Sequence, residues 1–426
     1  MEPSQHAFAF GQSFWIPNGD CMRAINLFHR ICTFAALALV WPLAFSQSGS
    51  PVLKTAVDAA WQRSPQGRML EARRNEVLAG QDAARTWIAG SPVLGLSQRS
   101  DRWTDQAGGL ENEVSLSTPI WLPGQKTARQ ALAQSGADDL EAQIAQARLA
   151  LAGEVRERMW AAAAAGEALA VAQDHQTHLA AIADEVMQRV KAGDLARTDG
   201  ILARQEVLAA QGAIALAQGR RNEAHARYST LTGQPAVVKP APELIAGSMR
   251  EPHPRRLAAS TTLTHAQRAL NVVNRNRSAP PTLGMSVRRD RDNATRAYGS
   301  SVGIAVQIPF GTNARHRPLE TAALTQIEAA TAQAAQVEVE LHAAIRLARQ
   351  QLSAAQHALE TASSRAVLTR EHTALVLKAF RLGERGLADL LRSQALSHEA
   401  ENAESQQKVA VGLAHARLNQ ALGIIP

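Results

Sequence analysis

Four short stretches of the chain alternate apolar and polar residues with a period of two. In Val93–Arg99, Leu94, Leu96 and Gln98 fall on one side, and Gly95, Ser97 and Arg99 on the other. In Glu113–Thr118, Val114, Leu116 and Thr118 oppose Glu113, Ser115 and Ser117. Further along, Leu283, Met285 and Val287 oppose Gly284, Ser286 and Arg288, and Val302, Ile304, Val306 and Ile308 oppose Gly303, Ala305 and Gln307. Such alternation predicts strands with one apolar and one polar face. The polar, Gly-containing segments "RSDRWTDQAGG" and "RRDRDNATRAYGSS" predict hairpin loops joining them in pairs.

Around the strand pairs the periodicity becomes helical. Val52–Trp87 and Arg255–Asn274 precede the pairs as helix-like stretches. After each pair no proline occurs between Pro123 and Pro235, nor between Pro318 and Pro426. Pro318 suits a first helical position, where its missing N–H would have no partner. The run from Pro318 to Leu382 would extend roughly 100 Å as one helix at ~1.5 Å per residue. Within it Ile345, Leu352 and Leu359 recur every seven residues, interleaved with Ala348, Ala355 and Ala362. This large/small ladder predicts close coiled-coil-like packing rather than a lone solvated helix. Gly193 and Gly383 interrupt the two proline-free runs, each followed by polar residues, and predict tight turns into return helices.

These units are one unit written twice. "AGDLARTDGIL" and "LGERGLADLL" both carry a Gly, an acidic neighbour and an Asp six residues beyond the Gly; Gly193 and Gly383 differ by 190 positions, as do Asp199 and Asp389. "SPVLGLSQRSDR" answers "PPTLGMSVRRDR", "VSLSTPI" answers "IAVQIPF", and Ser64–Pro65 answers His253–Pro254, all at nearly the same offset. An ordered series at one offset indicates a duplication. The first repeat spans 51–235 and the second 253–426, with 236–252 as linker.

Composition narrows the class. Aromatic residues make up only 4% and alanine is abundant, which favours long, closely packed helices over one thick core. The formal charge of +7 arises from interspersed signs, with no basic run interleaved with aromatics, so no nucleic-acid partner is expected. Residues 22–46 carry a basic start, an apolar run and small residues Ala44 and Ser46 before Gln47, as a secretory signal peptide does. Residues 1–21 then form an extension or reflect a misassigned start. Cys21 and Cys32 both fall in the part expected to be removed, leaving no thiol for a disulfide or metal site. Four strands cannot close a barrel, and an open sheet edge is not viable in lipid, so the strands point to several chains pooling their hairpins; a trimer supplies twelve.

The chain resembles the outer-membrane efflux channels of the TolC type, and within them the CzcC-like branch that accompanies heavy-metal pumps. The resemblance rests on the duplicated hairpins, on "STPIWLPGQKTARQALA" leading from strand to helix, on the two Gly-x5-Asp tips, and on "FRLGERGLADLLRSQ". It implies a mainly α chain with short β: a trimeric outer-membrane β-barrel of four strands per chain above a long periplasmic α-helical barrel. It further implies a homotrimer in the outer membrane of a Gram-negative bacterium, contacting outer-membrane lipid. The implied activity is passive gated export, docked to a periplasmic adaptor and an inner-membrane pump of the RND type. The adaptor-docking tips would be Gly193, Asp194 and Leu195 with Gly383, Glu384 and Arg385. The gate would be Arg385 bonded to Thr198 and Asp199, with Asp389 forming a ring around the duct. Two residues depart from the family pattern: Arg392 replaces a second ring Asp, and Phe380 stands where a Tyr can support the closed state. Both would loosen the gate or partly neutralise it. Arg385 has Leu195 at the matching place of the first tip, and that asymmetry marks the expected gate.

Elementary electrostatics is compatible with these roles, since three Asp389 carboxylates around one axis would favour cations. Helix-start capping would explain a single such Asp; its presence at both tips favours a gate as well as a cap. No catalytic arrangement, phosphate-binding loop or cofactor motif is present, so no enzyme activity and no cofactor are expected. His175 and His178 share a helix face but lack acidic or thiol companions, and are expected to be solvated rather than metal ligands. Two other readings stay open: a duct for drugs or other small molecules, and a soluble periplasmic coiled-coil adaptor or spacer.

Overall fold

The computed structural model describes residues 51–235 and 240–426, all within one compact unit, Ser48–Pro426. The expected extension, signal peptide, Cys21 and Cys32 lie outside the described residues, as do 236–239 of the linker.

The described elements are α1 (Pro51–Arg63), α2 (Pro65–Arg85), β1 (Val93–Ser100), β2 (Leu110–Pro119), α3 (Gln125–Ala192), α4 (Arg197–Thr232), α5 (Pro254–Arg275), β3 (Thr282–Arg291), β4 (Gly299–Gln307), α6 (Asn313–Arg381) and α7 (Leu387–Ala421). The stretch expected as one helix over Val52–Trp87 is two. Pro65 drives the preceding Ser64 to an extended backbone, φ −63° and ψ 125°, and Ser64 then caps α2 by accepting from the Gly67 amide. His253 does the same for α5, its Nδ1 accepting from the Arg255 amide, with Pro254 as first helical residue. The repeated Ser-Pro and His-Pro pairs are therefore helix starts. The Pro318 expectation is corrected: α6 begins at Asn313, and Pro318 lies inside its second turn. There the ring forfeits one amide bond near the helix start, which a helix of 69 residues absorbs.

At 68 and 69 residues, α3 and α6 are each about 100 Å long. Their return helices, α4 and α7, have 36 and 35 residues and cover only the distal half. Along that half the helices lie side by side in the order α4, α3, α7, α6; towards the sheet the order is α2, α3, α5, α6. One helix layer offers no thick core, so apolar burial is spread over local clusters. The first part of the predicted ladder is one of them: Ile345, Ala348 and Leu352 of α6, together with Leu341, pack on Ala414, Leu418 and Leu422, while Leu359 and Ala362 lie outside this cluster. Small residues set the spacing. A Cβ on Gly412 of α7 would stand 2.0 Å from the Trp160 ring of α3.

The four strands form one antiparallel sheet in the order β1-β2-β3-β4, so the two hairpins meet at the β2–β3 pair. The register aligns the apolar positions into cross-strand rows: Leu96–Val114–Val287–Val302, Leu94–Leu116–Met285–Ile304 and, on three strands, Thr118–Leu283–Val306. All the large apolar residues of these rows are exposed or half-exposed, and β1 and β4 each keep one unpaired edge.

The segment around Glu243 is strapped onto the helices by a buried polar network. Glu243 receives both arms of the Arg156 guanidinium, at 2.8 Å each, and the Asn419 side chain at 3.1 Å. Arg156 also donates to Gln420 at 2.7 Å and to the Ile424 carbonyl at 3.2 Å.

Candidate functional site

The two tips close by the same backbone device. At the first, Gly193 adopts φ 88°, its amide bonds the Val190 carbonyl at 3.1 Å, and the Asp194 amide reaches Arg189 at 2.9 Å. At the second, Gly383 adopts φ 82°, with Gly383 bonding Phe380 at 3.1 Å and Glu384 bonding Ala379 at 2.9 Å. Both glycines face open space, so they are required by their left-handed conformation and not by crowding. Ala196 and Gly386 occupy the N-cap positions, which places Asp199 and Asp389 third in α4 and α7. Neither carboxylate is the cap residue. Each lies in a first helical turn, where the helix dipole favours negative charge.

The structure brings the tips together through Phe380, which the sequence marked as a departure from the family pattern, and through Arg189, Arg381 and Glu185, which it did not single out. Arg189 stacks its guanidinium 5.0 Å from the Phe380 ring centroid and donates to the Phe380 carbonyl at 3.2 Å. Arg381 forks onto Glu185, with contacts of 3.0 and 3.2 Å. Between them Ile182, Ala183, Val186, Ala203, Phe380, Leu387 and Leu390 form an apolar cluster, with Leu195 packed against it. Phe380, only 2% exposed, is thus a joint between α3, α6 and α7. Leu195 and Leu387 both turn into this cluster, while Arg197 and Arg385 are exposed. The first tip therefore has its own arginine, two positions later than the offset predicts.

The gate candidates all lie at the tips. Thr198, Arg385, Asp389, Asp194 and Glu384 are exposed, and Asp199 is half-buried. Arg385 lies 3.8 Å from Asp389, one helical turn away. Among the described residues no bond joins Arg385 to Thr198 or Asp199. Arg392 is exposed on α7 a turn beyond Asp389.

Farther from the tips, His175 of α3 stacks on His398 of α7, with ring centroids 3.9 Å apart. Burial, then the neighbouring His398 and His178, lowers the His175 pKa to about 4; burial also lowers that of His398. His175 is therefore packed, not simply solvated. Among the described residues no group of three or more His, Cys, Asp or Glu could hold a metal ion, and no helix is long and apolar enough to cross a membrane.

At the opposite end the sheet is chemically two-sided. Opposite the apolar rows, Gly95–Ser115–Ser286–Gly303 and Ser97–Glu113–Arg288–Ser301 form a small, polar face. Charges there are paired: Arg288 reaches Glu111 at 2.5 Å, and Arg99 reaches it at 3.4 Å. Aromatic residues bracket the strands, with exposed Trp87 and Phe310 at the helix end and Trp103 and Tyr298 at the loop end.

No family model and no curated protein matches the chain. Solved structures do. The outer membrane protein VceC from Vibrio cholerae superposes with a TM-score of 0.71 at 15% identity, covering 87% of this chain and 96% of that one. The open state of the Neisseria gonorrhoeae MtrE outer membrane channel gives 0.68 at 17% identity, covering 88% and 89%. The Campylobacter jejuni CmeC outer membrane channel gives 0.68 at 13%, covering 88% and 86%. The chain thus has the fold of outer-membrane channels over nearly all its described length. It is a mainly helical chain carrying a four-stranded sheet, the class its periodicities predict.

Proposed function

We propose that this chain is the outer-membrane duct of an efflux assembly. Three copies pool their sheets into a twelve-stranded barrel, and their long helices continue the passage through the periplasm. The carrying observation is the sheet's uncovered apolar face, in register across four strands and bracketed by aromatic residues, with both edges unpaired. An apolar band between aromatic girdles is what lipid requires of a barrel wall, and unpaired edges are tolerable there only after closure. A dimer would supply eight strands, whose interior side chains fill; twelve leave a lumen for the small polar face to line. A soluble coiled-coil spacer would have no use for that exposed apolar face.

Transport is passive, with energy supplied by an inner-membrane pump joined through a periplasmic adaptor that docks on Gly193–Leu195 and Gly383–Arg385. Asp389 lines the throat, and Arg385 can exchange its own-tip partner Asp389 for Thr198 and Asp199 as the tips close. The cargo we infer is heavy-metal cations, supported by the exposed Asp389 and by the resemblance of the sequence to the CzcC-like branch; drugs or other small molecules are the competing cargo.

Extraction of outer membranes with detergent, followed by mass measurement, tests the assembly. A detergent-bound trimer is expected, and a water-soluble monomer would sink the proposal. For cargo, loss of the gene should raise sensitivity to divalent metals; raised sensitivity to drugs alone would reassign it.

A further inference from the structure

The apolar face of the β3–β4 hairpin ends in charge. On β3 the face reads Leu283, Met285, Val287 and then Arg289, which pairs across with Ser300 of β4. Continuing the register by one more alternate pair sets Arg291 opposite Tyr298, the residue just before β4. Both guanidinium groups stack on that one ring: Arg289 lies 4.6 Å and Arg291 4.9 Å from the Tyr298 centroid. Arg291 is further fixed by donating to the Gly108 carbonyl at 3.1 Å.

The charge balance differs between the two faces. On the polar face Arg99 and Arg288 have Glu111 as a partner, and in the loop Arg296 holds Asp292 at 2.8 Å. Among the described residues neither Arg289 nor Arg291 has a carboxylate partner. Two oriented cations without an ion-pair partner thus stand on the apolar side of the sheet, one and two alternate steps beyond the Val287–Val302 row.

We propose that Arg289 and Arg291, ordered on the Tyr298 ring, bind the phosphate of an anionic glycolipid in the outer leaflet. The proposal rests on the outer-membrane reading above. Guanidinium forks match phosphate oxygens in pairs, and stacking on one ring reduces the side-chain freedom lost on binding. A lipid phosphate at this height would lay its acyl chains along Val287, Val302, Met285 and Ile304. A free phosphate would gain nothing from those rows, which favours the lipid as source.

The test uses the full chain extracted in detergent, stripped of lipid, and titrated with bis-phosphorylated lipid A while bound lipid is counted by native mass spectrometry. Arg289→Gln with Arg291→Gln should weaken retention about 30-fold, at roughly five-fold per surface cation. Arg99→Gln, on the other face, should leave retention unchanged, and dephosphorylated lipid A should bind the unaltered chain as weakly as the phosphorylated lipid binds the double variant. Should the double variant fail to reach the membrane, Arg289→Gln alone carries the test with its about five-fold loss. Equal retention by variant and unaltered chain overturns the proposal. So does displacement of the lipid by inorganic phosphate at matched concentration, which would assign the arginines to a soluble anion. A chain absent from the membrane fraction refutes the outer-membrane reading itself, whereas an inserted chain lacking phosphate-dependent retention refutes only this site.

Discussion

Arg156→Leu should be among the most damaging single substitutions outside the tips. The guanidinium and the Glu243 carboxylate are only 2% and 3% exposed, and they bond each other through two 2.8 Å contacts. Removing Arg156 leaves a buried carboxylate with the Asn419 amide as its remaining side-chain donor. Stranding one half of a buried ion pair costs about 3–5 kcal/mol, because the orphaned charge keeps its desolvation penalty. With an unfolding entropy of about 2.1 cal/mol/K per residue, 4 kcal/mol lowers the Tm of a chain this long by roughly 5 °C. Thermal unfolding in detergent, followed by circular dichroism, measures this. Glu243→Leu should cost towards the lower end of the same range, since Arg156 retains Gln420 and the Ile424 carbonyl. The double variant decides the reasoning. Removing both charges should cost less than Arg156→Leu alone, giving a coupling of several kcal/mol in the cycle. Additive losses would refute it, because the carboxylate would then not depend on the guanidinium.

Three further outcomes are expected. Gly383→Ala meets no atom within 4 Å and is penalised only by φ 82°; a cost of about 1 kcal/mol should speed hydrogen exchange of the Glu384 amide roughly five-fold, with Gly383→Asn less affected. His175, with its folded pKa near 4, stays neutral while the unfolded chain takes up a proton below about pH 6.5, so stability should fall between pH 6.5 and 4. Discounted for its half exposure, that loss is about 1–2 kcal/mol; a His175→Asn variant that keeps the full slope would place the titration elsewhere. In single-channel recordings Asp389→Ala should relieve block by divalent cations, and Asp199→Ala with Arg385→Ala should raise leak up to about five-fold, the scale of one exposed ionic link. Unchanged block would remove Asp389 from the throat, and an unchanged leak would assign closure to other contacts.

The strands and long helices were legible because their signals are local: Leu283, Met285 and Val287 alternate within six residues, and a proline-free run admits an unbroken helix. Duplication then located the tips, since Gly193 and Gly383 recur at one offset. What escaped is what the offset does not carry. Glu185 and Arg381 are 196 positions apart and Arg156 and Glu243 are 87, so neither pair stands in repeat register. A buried charge also reads like a solvated one in an interspersed pattern. The break at Ser64–Pro65 was visible as a repeated dipeptide, but only the extended Ser64 backbone shows that it divides two helices. Comparing Leu195 with Arg385 at strict offset hid Arg197, because the apolar and basic residues trade places between the tips.

That exchange bears on how the proposed channel would open. Within one chain the tips are welded by buried apolar residues, and burying a Phe or Leu contributes about 1.5–3 kcal/mol. Phe380, Leu387 and Leu390 together therefore outweigh several exposed ion pairs, each worth roughly 0–1 kcal/mol. Swinging α6 and α7 away from α3 and α4 would expose that cluster and break the Arg189–Phe380 and Arg381–Glu185 contacts as well. Moving the tip pair of one chain as a body against its neighbours breaks only contacts between copies. Arg385 and Arg197 are placed for such contacts, being exposed on the surface while Leu387 and Leu195 hold the joint. The economical motion in the proposed trimer is thus between chains, with Asp389, 3.8 Å from Arg385, as the own-chain partner that would compete for Arg385 against any contact to a neighbouring copy.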